Sequence, residues 1–288
     1  MLTRPDDGSN QPGAATDPLR VGEVALVVRD LERVEAFYRA VLGLRAVERA
    51  PDAVRLGAAD GPGFLTLLHR PDARPDDPAQ AGLFHTAFLL PSRAHLGSWL
   101  AHAVALGAPV TGGSDHGVSE AVYLDDPEGN GVEVYADRPR DAWRWRDGQV
   151  EMTTRPLDAP GLARDAARAG AWAGAPAGTR IGHVHLRVGD VAQAVGFYAG
   201  RLGLDPVSAR PGAAFLSTGG YHHHVAVNTW RSAGAGPRDP ARAGLAHVVL
   251  EAADAAVLDA LAARAGATDP VRDGLRDPWG TLVRVRPA

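Results

Sequence analysis

The stretch VGEVALVVRDLERVEAFYRAVLGL (Val21–Leu44) returns as IGHVHLRVGDVAQAVGFYAGRLGL (Ile181–Leu204). Asp30 matches Asp190, Phe37-Tyr38 matches Phe197-Tyr198, and Gly43 matches Gly203, all at one offset. Self-similarity of this kind marks a repeated supersecondary unit. Each copy opens with a run rich in β-branched residues, the signature of a strand. The aspartate that follows suits a helix N-cap, where a carboxylate accepts an orphan backbone N–H. Leu31, Val34, Phe37, Tyr38, Val41 and Leu42 then recur at helical spacing and define one apolar face. The glycine fits the left-handed residue that closes such a helix.

A second pair of segments repeats in the same way. GLFHTAFLL (from Gly82) matches GLAHVVLEA (from Gly244), and each precedes a helix-like stretch, His95–Leu106 and Ala255–Ala265. Each ends in a turn and a last strand, DPEGNGVEVY from Asp126 and DPWGTLVRVR from Asp277; Asp-Pro followed by Gly is turn chemistry. The chain therefore reads as four strand–helix–strands modules at 20–72, 82–139, 180–231 and 244–288. A sheet that short cannot cover both its own faces, so modules must pair. The expected fold class is α+β, with four βαβββ modules pairing into two barrel-like halves. In chain order this gives a disordered lead (1–19), a module pair (20–139), a linker rich in Pro, Arg, Trp and Gly (140–179) and a second module pair (180–288).

Composition narrows the function classes. The 288 residues include no cysteine, so disulfides, thiolate metal sites and cysteine nucleophiles are excluded. A net charge of −4 without any Lys/Arg run argues against nucleic acid as a partner. No apolar run has the length of a membrane span. The polar MLTRPDDGSNQPGAATDP has no apolar core of a signal peptide, so a cytoplasmic protein is expected. The oligomeric state stays open, a homo-oligomer included.

Three of the eleven histidines, His85, His183 and His247, occupy one position of the first strand in modules two, three and four; module one has Glu23 there. The last strand of module two carries Glu133, where module four has Arg284. Imidazoles and a carboxylate on adjacent strands suit a divalent first-row metal, and two His plus one carboxylate leave cis positions open, an arrangement that non-haem Fe(II) centres use. A lone strand histidine is more often a hydrogen-bonded core residue, and a repeat copies structural residues too. His116 and Tyr123 lie between these elements in module two, and GGYHHHVAVNTW (from Gly219) reads as a strand in which His222 and His224 share a face opposite His223. His185 alternates with His183, Glu23 is a candidate ion-pair partner of Arg284, and His69, His95 and His102 read as structural or solvent-facing.

These residues resemble the vicinal-oxygen-chelate superfamily: glyoxalase I, bleomycin-resistance proteins and type I extradiol dioxygenases. The resemblance spans nearly the whole chain after its first twenty residues and is closest to extradiol dioxygenases of the catechol 2,3-dioxygenase type. In that family a first-strand His from each of two modules and a last-strand Glu hold the metal. The resemblance thus implies His85, His183 and Glu133 as ligands of Fe(II), with Mn(II) or another divalent metal as alternatives. It implies His224 or His223 as the base, His116 and Tyr123 as hydrogen-bond donors, and a small aromatic diol with O₂ as the substrates. The usual catalytic modules of the family are the third and fourth. Here module four lacks the Glu, the distal His and the Tyr, so the ligand set argues that modules two and three form the active half. Pairing in chain order, one with two and three with four, is the competing arrangement. A metal-free sequestering protein, with Trp143, Trp145, Trp172 and Trp230 lining its cleft, is the competing function, and glyoxalase-like isomerase or lyase chemistry is the third.

Overall fold

The computed structural model describes residues 17–59, 61–266 and 269–288. The expected disordered lead therefore falls outside the described residues up to residue 16. Its last residues are structured: Asp17 is buried against Arg140, and the first strand starts at Leu19.

Module one comprises β1 (Leu19–Val28), α1 (Leu31–Leu42), β2 (Arg45–Ala50), β3 (Ala53–Gly57) and β4 (Leu65–His69). Module two comprises β5 (Gly82–Leu89), α2 (Arg93–Leu106), β6 (Val110–Asp115), β7 (Ser119–Asp125) and β8 (Gly131–Asp137). The linker holds three two-residue strands, β9 (Trp145–Arg146), β10 (Gln149–Val150) and β11 (Arg155–Pro156), and a helix, α3 (Ala159–Ala169). Module three comprises β12 (Arg180–Arg187), α4 (Val191–Gly200), β13 (Asp205–Arg210), β14 (Ala213–Ser217) and β15 (Val225–Asn228). Module four comprises β16 (Gly244–Ala252), α5 (Ala255–Ala265), β17 (Leu275–Arg276) and β18 (Leu282–Pro287). The fold class is α+β, with tandem modules of one kind. No helix among the described residues is long and apolar enough to cross a membrane.

The repeat is visible in the caps. Asp30 and Asp190 accept from the backbone N–H of Arg33 and Gln193, and Gly43 and Gly203 adopt φ of 67° and 71°. Only a residue without Cβ takes that conformation freely.

Two curled sheets result. One runs β17-β18-β16-β1-β4-β3-β2 and contains modules four and one. The other runs β11-β6-β7-β8-β5-β12-β15-β14-β13 and contains modules two and three. The joins are antiparallel first-strand pairs, β1 with β16 and β5 with β12. The two sheets are also tied crosswise. The Tyr38 hydroxyl of module one donates to Asp126 of module two at 3.3 Å, and Tyr198 of module three donates to Asp277 of module four at 3.2 Å. Both aspartates meanwhile cage the Asp-Pro turns through their other oxygen: Asp126 accepts from the N–H of Glu128 and Asn130, Asp277 from Trp279 and Thr281.

Alternation decides which residues meet. Val132 and Val134 of β8, Val184 and Leu186 of β12 and Phe88 of β5 join one apolar core shared with β1, β16 and the helices. The residues between them point into the concave face of the second sheet. Both faces are buried, so these strands read as near-continuous apolar runs interrupted by a few polar side chains.

The linker is part of this architecture. β11 pairs with β6, and α3 packs on α2. The approach is so close that a Cβ on Gly97 of α2 would lie 2.1 Å from the Leu162 carbonyl oxygen of α3. Gly97→Ala should therefore cost about 1–3 kcal/mol, as overpacking does, seen as a lower urea midpoint with an unchanged slope. An unchanged midpoint would argue against α3 docking on α2.

Candidate metal centre

Ala87, in the middle of β5, is the reference point of the site. It pairs with His183 of β12 on one side and with Glu133 of β8 on the other. His183, Ala87 and Glu133 form one row across three strands, and His85 lies two residues along β5 on the same face. The small Ala87 side chain leaves the space that the other three converge on. One ligand atom from each of His85, Glu133 and His183 lies within 4.8 Å of the other two. His85 Nε2 is 3.0 Å and His183 Nε2 is 3.3 Å from the same oxygen, Glu133 Oε2.

All three side chains are buried. Burial alone would raise the Glu133 carboxyl, but the two histidines outweigh it and hold its pKa well below the usual value. Burial pushes His183 down to about 4 against the pull of Glu133. The set thus offers a carboxylate and, at neutral pH, a neutral His183 ring with an available lone pair. His85 Nε2 and His183 Nδ1 are buried without a hydrogen-bond partner among the described residues. Native interiors leave few such atoms orphaned. A nitrogen aimed at a carboxylate and a second imidazole, yet unpaired, fits a divalent cation. Two His and one carboxylate are the donor set expected of such a site.

The site opens into a cavity of about 640 Å³. His116, Tyr123, His185, His223, Phe84, Phe215 and Trp230 line it. His116 Nδ1 faces the Thr153 carbonyl at 2.8 Å, which fixes the proton on that nitrogen. Its Nε2, 2.7 Å from the Tyr123 hydroxyl, then accepts the phenolic proton. Burial and Glu133, opposite Tyr123 in the β7–β8 ladder, push that phenol well above its usual value, so it stays protonated. His185 Nε2 meets the Asn228 side-chain amide at 2.9 Å, and burial lowers its pKa strongly.

The three successive histidines depart from the expected strand. β15 starts only at Val225, so Tyr221–His224 is an irregular lead into it. Extending the β12–β15 register by one residue would put His224 beside His183. Instead His224 is turned away from the cavity: its Nδ1 lies 3.1 Å from Ser217 Oγ and accepts from the Thr218 N–H at 3.3 Å, and its Nε2 lies 3.7 Å from Asp17. His223 lines the cavity, with its ring centre 4.0 Å from that of His183. Of the two histidines that the resemblance implies as base, His223 and not His224 faces the cavity, because a break in the ladder reverses the alternation.

Behind His223 runs a buried hydrogen-bond chain. Tyr221 donates to the Asp137 carboxylate at 3.0 Å, and His222 Nε2 lies 2.8 Å from the same group. A carboxylate only accepts, so His222 carries its proton on Nε2 and presents a lone pair at Nδ1. His222 Nδ1 is 2.9 Å from His223 Nδ1, so His223 must be the donor there. Its Nε2 is left as a bare acceptor. Burial and the neighbouring histidines hold the His223 pKa well below the usual value.

Two further expectations change. Glu23 does not pair with Arg284: in its row Val249 stands between the two, and β18 reaches the carboxylate through Arg286 instead. Arg55, Arg286 and Thr66 hold the Glu23 carboxylate at 2.7, 3.1 and 2.8 Å. Of the four tryptophans considered for the cleft, Trp230 alone lines it; Trp143 is in a separate apolar cluster, Trp145 is exposed and Trp172 stacks near His102. Asp137, Asn228 and Phe215 were not singled out from the sequence. Asp137 had a signal, since it shares the inward face of β8 with Glu133 and Tyr135 by period-two alternation.

The comparisons with known proteins agree with this architecture. The model of the Glyoxalase/Bleomycin resistance protein/Dioxygenase superfamily matches residues 20–134 and 180–285, and the chain belongs to that superfamily. Among its relatives is the catechol-2,3-dioxygenase of Bacillus subtilis (strain 168), 39% identical over 249 residues, which are 85% of this chain and 86% of that protein. Glyoxalase I from Zea mays shares the fold: a solved structure superposes with a TM-score of 0.53 at 16% identity, covering 93% of this chain and 92% of that one.

Ala87→Val should fill the space between the ligands and weaken binding of a divalent metal about tenfold or more, as titration of the stripped protein would register. Full affinity in this variant would mean that the three side chains do not share one ion. Asp137→Asn, which can donate as well as accept, should release the His223 tautomer. Imidazole ¹⁵N shifts would then move from the Nδ1–H pattern to a mixture, and turnover should fall about tenfold with metal content intact.

Proposed function

We propose that the protein is an extradiol ring-cleaving dioxygenase that takes a catechol-like aromatic diol and O₂, with Fe(II) held by His85, Glu133 and His183. The observation that carries this reading is the convergence of those three side chains, with an orphaned imidazole nitrogen, at the floor of an aromatic-lined cavity. The likeness to a catechol-2,3-dioxygenase over most of both chains supports it. Bound there, the metal would lower the pKa of a diol hydroxyl, favour bidentate binding of its two oxygens and activate O₂ beside them.

The remaining work falls to the chain itself. Phe84, Phe215 and Trp230 supply apolar walls that clasp a flat ring and exclude water. His223, with its proton fixed on Nδ1, uses the Nε2 lone pair to take a diol proton, and a depressed pKa keeps that lone pair available. The protonated Tyr123 gives its one proton to His116 Nε2 while the cavity is empty; rotated onto a substrate oxygen, the same O–H would stabilise negative charge there. Across the whole reaction both oxygen atoms of O₂ enter the product, the ring bond beside the diol breaks, and a yellow open-chain hydroxy-aldehyde acid results.

A metal-free sequestering role fits poorly with the His85 Nε2 atom, which faces the Glu133 carboxylate without a hydrogen bond inside a buried carboxylate–histidine cluster. Isomerase chemistry would use the same ligands without O₂.

Anaerobically purified protein should contain about one iron per chain, consume O₂ with catechol and yield the yellow product. His223→Phe should keep the iron and lose about 10²–10⁴-fold in kcat. Substrate turnover without O₂ uptake would transfer the site to the isomerase class.

A further inference from the structure

The cavity has a second polar end. Arg210, the last residue of β13, lines it together with Arg231. Arg210 Nη1 donates to Thr154 Oγ1 at 3.0 Å, and its guanidinium carbon lies 5.8 Å from the centre of the Phe215 ring. Phe215 in turn stands 5.1 Å from His223 and 6.1 Å from His185. Arg210 is thus one aromatic ring away from the site's histidines. Burial and Glu133 raise the Tyr123 phenol, and the charge of Arg210 opposes them, which places that charge within electrostatic reach of the centre.

Arg210 has no carboxylate partner among the described residues. Acidic groups of the second sheet are engaged elsewhere: Glu133 with His85 and His183, Asp115 with Arg138, Glu120 with Arg93. Asp125 lines the cavity but forms an ion pair with neither arginine. A partly buried guanidinium without a counter-charge loses hydration and gains nothing in exchange. Here a threonine hydroxyl and an aromatic face hold it in the cavity wall. That volume, about 640 Å³, is more than a bare one-ring diol fills.

We infer that Arg210 is an anion-recognising subsite, and that the substrate is an aromatic diol bearing a carboxylate arm on the side of the ring remote from its hydroxyls. Thr154 orients the guanidinium, Phe215 supports it, and Arg231 adds positive potential at the rim. The diol scaffold rests on the dioxygenase reading; the charge of the arm does not.

The test is anaerobic binding of dihydroxyphenylpropionate and of its amide to the full-length, Fe(II)-loaded chain, where no turnover occurs. The unaltered protein should favour the acid over the amide about tenfold or more, and added salt should narrow the gap. Arg210→Gln should erase the preference, with an unchanged iron content and near-UV circular dichroism reporting a folded site. Arg210→Lys should retain part of it, and Arg231→Gln most of it. Equal affinities in the unaltered protein, no binding of either compound, or a preference that survives Arg210→Gln would each overturn the inference. A preference that follows Arg210 in a protein that opens no diol in air would sustain the subsite and remove the dioxygenase reading; ring opening with a preference indifferent to Arg210 would do the reverse.

Discussion

The antiparallel pairing of β5 with β12 is the interaction on which the site depends. It joins modules two and three, which are separated by the linker and α3, and it sets His183 in register with Ala87. The parallel pairing of β5 with β8 sets Glu133 against the same residue. Side chains two strands apart in one row are normally separated by about 10 Å at the backbone. They meet here because the row curls and because its middle position is an alanine. A one-residue slip at β5–β12 would turn His85 or His183 into the outer core and exchange it for an apolar neighbour. The sheet is protected against such a slip by its outer face, where Phe88, Val184 and Leu186 are buried in the shared core.

The first sheet shows what the same row becomes without a site. Glu23, Val249 and Arg284 occupy the places of His183, Ala87 and Glu133, and His247 that of His85. Valine narrows the gap, and arginine replaces the anionic ligand. The Glu23 carboxylate is then a buried charge that needs partners, and Arg55, Arg286 and Thr66 supply them. Buried ion pairs of this kind offset their own desolvation rather than add much stability. The network supplies the partners that a buried carboxylate at position 23 requires.

Much of this was legible in the sequence, for a physical reason. A repeat places equivalent residues at equivalent points of equivalent strands, so His85, His183 and His247 could be aligned without coordinates, and the caps at Asp30 and Asp190 announced the helices. That positions 85, 133 and 183 belong to one set came from the resemblance to extradiol dioxygenases, because alternation within a module does not say how module three meets module two. What could not be read was local irregularity and long-range reach. Alternation through Tyr221–His224 fails because the ladder begins at Val225, and that reverses the parts of His223 and His224. Arg284 and Glu23 were matched by row, but the contact comes from Arg286, two residues along the same strand, which a row match does not show. The linker reads as loop chemistry, yet β11 and α3 build it into the second sheet and α2, because Gly97 lets two helices touch.

The polar groups of the cavity are sorted by what each nitrogen or oxygen is still free to do. His116 spends Nδ1 on a backbone carbonyl and Nε2 on Tyr123; His185 spends Nε2 on Asn228. His223 alone among the lining histidines outside the ligand set has a hydrogen-bonded Nδ1 and no partner for Nε2. Its proton is assigned from the far end of the chain, by a carboxylate at Asp137 that can only accept. The direction of every bond from Asp137 to His223 therefore follows from one buried acid, much as the ligand geometry follows from one small residue at position 87. A site built this way is constrained by its surroundings: His85, Glu133 and His183 are common side chains, and the neighbouring row and the hydrogen-bond chain decide which of the site's atoms are left free to bind.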